Sequence, residues 1–265
     1  MDGKQLAVLS VPRNTTEHCT QNTENSPLPT LRGLHLLYGH AAAREAGFYM
    51  AAEWLCQRQT PHPTSHIRPP TLIVVDGENS FDPFIFSNAA RRVGLLPDSI
   101  LHNLFVSRAF TCHQLQALIV ERLIPELCKT GSRMILVLGL LTTFYDEQVP
   151  MWEAQRLLRP TLGRLMGLAK HGYSILILLP GEPRRIPKRR SFLQWTKDCA
   201  DRVFRIEESV FSVRGSEPGS KSDSTGMEYS VKVHLEKPMD EASEWEMTFD
   251  PAVQPRQRWQ GVGQW

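Results

Sequence analysis

The sequence predicts an α/β domain with a mostly parallel central sheet flanked by helices and a C-terminal antiparallel extension. Two observations carry this. Short continuous apolar runs alternate with segments of helical period between residues 31 and 201, which is how strands buried on both faces read. After Arg202 the pattern becomes closer to residue-by-residue alternation, as in strands with one covered face.

The elements follow in order. LHLLYG (34–39) is a buried strand and GFYMAAEWLCQ (47–57) a helix. TLIVVDGE (71–78), rich in β-branched residues, is the next strand. PFIFSNAARRVG (83–94) is helical, with Ile85, Phe86, Ala89, Ala90 and Val93 on one face. LHNLFVSRAF (101–110) reads as strand, and HQLQALIVERLIPELCKTG (113–131) as a helix stopping at Gly131. RMILVLGLL (133–141) and YSILILLPG (173–181) are continuous apolar strands around the amphipathic helix 151–172, where Pro160 predicts a kink. VFRIEESVF, YSVKVHLE and WEMTF form the antiparallel extension, with an exposed hairpin loop at 214–226.

One domain over 31–250 is expected, between a disordered N-terminal tail (1–30) and a C-terminal tail (251–265) whose Trp259 and Trp265 either dock elsewhere or tuck in. The stretch RQTPHPTSHIRPP (58–70) is loop. The net charge of +2 carries no global bias toward nucleic acid, so any basic site must be local. Five scattered cysteines without C-x-x-C suit a reducing compartment. The opening MDGKQLAVLSVPRN lacks the apolar core of a secretory signal, and no run approaches a membrane span. A cytoplasmic protein is expected, nucleoid-associated or nuclear if it binds DNA. His62 and His66 have no neighbouring ligand cluster, so no metal site is expected.

The stretch VVDGENSFDPFIFSNAARRVGLLPDSILHNLFVSRAFTCHQLQALI (74–119) carries the chemistry. Asp76-Gly77-Glu78, Asp82-Pro83, the A-R-R-x-G-L run and V-S-R-A-F resemble the ATPase core of RecA-like strand-exchange recombinases, most closely the archaeal and eukaryotic branch and their paralogues. The resemblance implies a RecA-like P-loop NTPase fold. It places Glu78 where the family holds the glutamate that activates the attacking water. Asp76 and Glu78 also read more simply as caps of the turn before residue 83.

The phosphate-gripping groups do not follow. A phosphate loop has the form G-x-x-x-x-G-K-[ST]. Counting from Gly39, the places for Gly, Lys and Ser/Thr hold Arg44, Glu45 and Ala46, and no lysine occurs between Lys4 and Lys129. A glutamate in the lysine place is repulsive: one unit charge at ~4 Å contributes about 4 kcal/mol at an effective dielectric of 20. The strand RMILVLGLL has Gly139 where the family's magnesium-holding aspartate would fall, and ILILLPG ends in Leu179-Pro180 instead of near a glutamine. Gly39 and Arg44 remain the nucleotide-binding candidates and Glu78 a vestigial catalytic one. Arg44 pairing with Glu78 is expected to fill the empty loop. No cofactor is expected to be held firmly, ATP and magnesium only weakly.

EPRRIPKRRSFLQW (182–195) places Arg184, Arg185, Lys188, Arg189 and Arg190 after the last parallel strand, where the resemblance puts a DNA-contacting loop. These cations suit phosphates, and Phe192 or Trp195 a stacked base; the bland alternative is a solvated basic loop. Trp152 is expected in core or interface packing. The combined expectation is a non-hydrolysing accessory or DNA-binding module of recombination and repair, working with single-stranded DNA, a RecA-like partner or itself. Two competitors stand beside it: a divergent ATPase completed by a neighbouring subunit, and a protein-interaction subunit without DNA contact.

Overall fold

The computed structural model describes residues 32–57, 70–92, 94–181, 187–207, 210–213, 227–237 and 244–249. Both tails, the 58–69 loop with His62 and His66, Val93, and the expected hairpin loop at 214–226 lie outside the described residues.

The parallel part of the sheet is built from β1 (Gly33–Gly39), β2 (Leu72–Asp76), β3 (Leu104–Arg108), β4 (Met134–Leu138), β5 (Ser174–Pro180) and β6 (Arg202–Ile206). Between them run α1 (Ala42–Gln57), α2 (Pro83–Arg92), α3 (Pro97–Leu101), α4 (Cys112–Ala117), α5 (Leu123–Thr130), α6 (Met151–Lys170) and α7 (Arg190–Cys199). The antiparallel part is β7 (Val210–Val213), β8 (Met227–Lys237) and β9 (Glu244–Phe249). The strand order is β3-β2-β4-β5-β1-β6-β8-β7, with β9 also on β8.

Period-two alternation sorts each buried strand between two cores. Met134, Leu136 and Leu138 of β4 pack with α1, α2 and α3, whose Phe48 and Phe86 are fully buried. Ile135 and Val137 face the opposite layer, where Leu115, Ile119, Leu123, Leu158, Leu165 and Phe192 come from α4 to α7. Both faces are therefore covered, which is why these strands carry almost no polar residues.

Four details differ from expectation. β6 pairs parallel to β1, so the antiparallel extension begins one strand later, at β7. A short helix, α3, precedes β3, which is only five residues long. The segment expected as one helix after Cys112 widens to π geometry at Leu118–Arg122. Pro125 lies just beyond and cannot donate a backbone hydrogen bond, so the register there must change. Helix α6, by contrast, runs unbroken from Met151 to Lys170 through Pro160, which is exposed.

The extension is tied down by charge. Tyr38 of β1 donates to Glu236 of β8 (2.7 Å), Lys197 of α7 donates to both Tyr38 (2.6 Å) and Glu236 (3.0 Å), and Arg205 of β6 pairs with Glu236 (3.2 Å). Partial burial pushes the Glu236 carboxyl up. The hydrogen bonds from Tyr38 and Lys197 and the charges of Lys197 and Arg205 outweigh it and hold the group below its ordinary value. Lys237 adds bonds to the carbonyls of Asp198 (3.1 Å) and Ala200 (2.6 Å), anchoring the end of α7.

Candidate functional site

The C-terminal ends of β2, β4, β5 and β1 lie side by side along the edge where an open α/β sheet ordinarily binds its ligand. The chain leaves β1 at Gly39 and enters α1 at Ala42, so only His40 and Ala41 intervene. That link is too short to wrap a phosphate. Four of the five amides from His40 to Arg44 are also engaged: His40 N donates to the Ile206 carbonyl (2.9 Å), Ala42 N to the His40 ring (3.3 Å), Ala43 N to the His40 carbonyl (2.9 Å) and Arg44 N to the Ala41 carbonyl (3.2 Å). A phosphate loop works by leaving such donors free.

Gly39 has a different reason to be glycine. Its φ is +113°, and a Cβ there would lie 2.4 Å from the Ile206 carbonyl oxygen of β6. Its own carbonyl accepts from Gly181 N. The residue lets β1 end tightly between its two neighbours. Arg44 and Glu45 sit in the first turn of α1 and not in a loop, so Arg44 crowds nothing.

Arg44 instead reaches β2. Its Nε donates to Glu78 Oε1 at 2.9 Å, and Ser80 Oγ donates to the same oxygen at 2.7 Å. The Glu78 side chain is 9% exposed and the Arg44 side chain 38%. The expected pairing is thus present. The carboxylate in the water-activating place of the resemblance is engaged by a cation and a hydroxyl of its own chain.

Asp76 builds the turn that presents Glu78. Fully buried, it accepts from the backbone amides of Glu78 (3.2 Å), Ser80 (3.1 Å) and Phe81 (3.1 Å), while Arg108 of β3 stands 3.5 Å from its second oxygen. This is the turn-capping role that the sequence alone offered as the simpler reading. Asn79, at φ 54°, takes the left-handed position that its short polar side chain tolerates.

Gly139 closes the other side. It is left-handed (φ +59°), and a Cβ there would meet Glu78 Cβ at 2.6 Å and Cγ at 2.7 Å. Glu78 therefore occupies the space that any side chain at 139 would need. Glu45 lies near Asp82; burial and the Asp82 charge raise its carboxyl above the usual range, against the lowering effect of Arg44 and His40. Among the described residues no His, Cys, Asp or Glu side chains group as three or more metal ligands.

The basic segment divides. Arg184 and Arg185 lie outside the described residues. Lys188 and Arg190 are exposed. Arg189 is only 5% exposed and donates to the carbonyls of Phe144 and Val149, so its guanidinium serves the fold. Phe192 is fully buried and corrects the expectation of a base-stacking ring there; Trp195 is half-buried against it, with ring centroids 5.6 Å apart. Helix α7 was not read from the sequence, although Phe192, Thr196 and Ala200 already show its i, i+4 spacing. Trp152, expected in core or interface packing, is 63% exposed at the start of α6, which corrects the core reading.

A cavity of about 200 Å³ lies at the end of β5, lined by Tyr145, Leu179, Pro180 and Leu193 among others. That is below the ~300–1,000 Å³ of typical ligand pockets. No helix among the described residues is long and apolar enough to cross a membrane. Comparison with models of protein families found no match, and comparison with curated proteins found none.

Proposed function

We propose that this chain is a RecA-like P-loop-fold protein that does not hydrolyse ATP and serves as an accessory or DNA-binding module in recombination and repair. The observation that carries the reading is the Arg44–Glu78 pair, 2.9 Å apart across the place where a triphosphate would lie. An ATPase of this kind needs a carboxylate free to act on water, donors free to hold phosphate, and a group to hold magnesium. Here the carboxylate is paired, four of the five amides from His40 to Arg44 are engaged, and Glu78 itself fills the space beside Gly139. Removing one preorganised group typically costs ~10²–10³ in rate; losing several together leaves no efficient path to turnover.

The DNA half of the proposal rests on the resemblance of residues 74–119 and on the exposed Lys188 and Arg190 beyond β5. Two assays on the purified chain test it. Magnesium-dependent ATP turnover should be absent; turnover that Glu78→Gln abolishes would contradict the proposal. Single-stranded DNA should bind with an affinity that falls steeply with salt and weakens on charge reversal of Lys188 and Arg190. Binding that is absent, or indifferent to both, would leave a protein-interaction subunit instead.

A further inference from the structure

The outer face of α6 and α7 carries two arginine–tryptophan stacks that nothing above uses. The Arg156 guanidinium lies 5.8 Å from the centroid of the exposed Trp152 ring, and that of Arg159 lies 5.1 Å from the Trp195 ring. Residues 152, 156 and 159 share one helical face within about 60° of arc, given 100° per residue. Trp195 sits on the neighbouring helix, so Arg159 bridges α6 to α7.

The charge of α6 is one-sided, while the rest of its layer holds the acids Glu121, Glu126 and Asp198. Helix α6 has four basic side chains, Arg156, Arg159, Arg164 and Lys170, against the single acid Glu153. Glu153 is engaged by His113 of α4 at 3.0 Å.

We infer that this face is a stacking track for single-stranded nucleic acid, continuing from Lys188 and Arg190 across α7 onto α6. Trp152 offers one ring face to a base, while Arg156 and Arg159, held flat on their indoles, offer their charge to phosphates. The inference rests on the DNA-binding half of the proposed function and extends it from a loop to a surface.

The test uses the full chain and a fluorescein-labelled oligothymidylate, read by anisotropy and by tryptophan quenching. Trp152→Ala should weaken binding about 5- to 150-fold, and Trp152→Tyr should restore most of it. Arg156→Ala with Arg159→Ala should reduce the salt slope by about 1.4, or 0.7 for each phosphate contact on a single strand. The exposed Trp152 lets its variants keep the parent melting temperature, so lost binding is not lost folding. If the oligonucleotide binds, charge reversal at Lys188 and Arg190 removes binding, and the α6 variants bind like the parent, the track is wrong and the loop reading stands. If the parent does not bind at all, both fall. If polyglutamate binds as tightly as the oligonucleotide and neither depends on Trp152, the face selects acidic partners generally and the inference is overturned.

Discussion

Placing an aspartate at position 139 should damage this protein. In Gly139→Asp the new residue must adopt φ +59°, which costs an L-residue ~1–2 kcal/mol. Its Cβ would stand 2.6 Å from Glu78 Cβ, an atom at the root of the side chain, so backbone must shift and the bond to Arg44 must loosen. The new carboxylate also faces an existing one; two unit charges at ~4 Å interact by about 4 kcal/mol at an effective dielectric of 20, of which Arg44 neutralises a large part. The sum is a loss of about 3–5 kcal/mol, a large share of the ~5–15 kcal/mol typical of a domain. Gly139→Ala isolates the backbone and contact costs and should lose about 1–3 kcal/mol. Urea unfolding measures both through the midpoint at constant slope. A Gly139→Asp protein within about 0.5 kcal/mol of the parent, or one that gains magnesium-dependent nucleotide binding, refutes the packing account of Gly139.

Other consequences are simpler. A double-mutant cycle on Arg44→Ala and Glu78→Gln should return a coupling of about 1–2 kcal/mol, above the ~0–1 of exposed pairs because Glu78 is nearly buried; a coupling near zero would show that the pair is incidental. Glu45, whose folded carboxyl is raised, favours the fold below its unfolded value near 4.5 and loses that favour as pH rises through the folded value. Glu45→Gln should therefore raise the melting temperature at pH 7 and match the parent at pH 4; a loss at pH 7 would contradict the burial argument. Glu236 runs the other way. Its folded carboxyl is depressed, so its contribution is present above about 4.5 and lost as pH falls through the folded value. Glu236→Gln should cost no more than about 1 kcal/mol at pH 7, since solvent screens the cluster, and the cost should vanish in strong acid.

The four central strands β1, β2, β4 and β5 were legible because burial on both faces leaves a continuous apolar signature, as in RMILVL and SILILL. The chemistry at their ends was legible in part. Opposite charges on Arg44 and Glu78, each just past the C-terminal end of a core strand on the same edge of the sheet, suggested the pair. The two-residue β1–α1 link was not, because a helix that starts five residues early changes no residue type, only the backbone's hydrogen-bond partners. Helix α7 was hidden by its basic approach, where charge drew attention from the Phe192 periodicity; Arg189 then turned inward to carbonyls that lie 40 and 45 residues away in sequence. The exposure of Trp152 follows from which face of α6 meets the sheet, and the alternation of Ala154, Leu158, Leu162 and Leu165 already marks that face as the other one.

The account's central claim is that the Arg44–Glu78 closure excludes a triphosphate. Melting the protein with and without a saturating non-hydrolysable ATP analogue and magnesium tests it most directly. Ligand at 100 times its dissociation constant stabilises by ~2.7 kcal/mol, which raises the melting temperature of a chain this size by about 5–10 °C. The closure predicts no shift. A rise of that order, lost on Glu78→Gln, would contradict it.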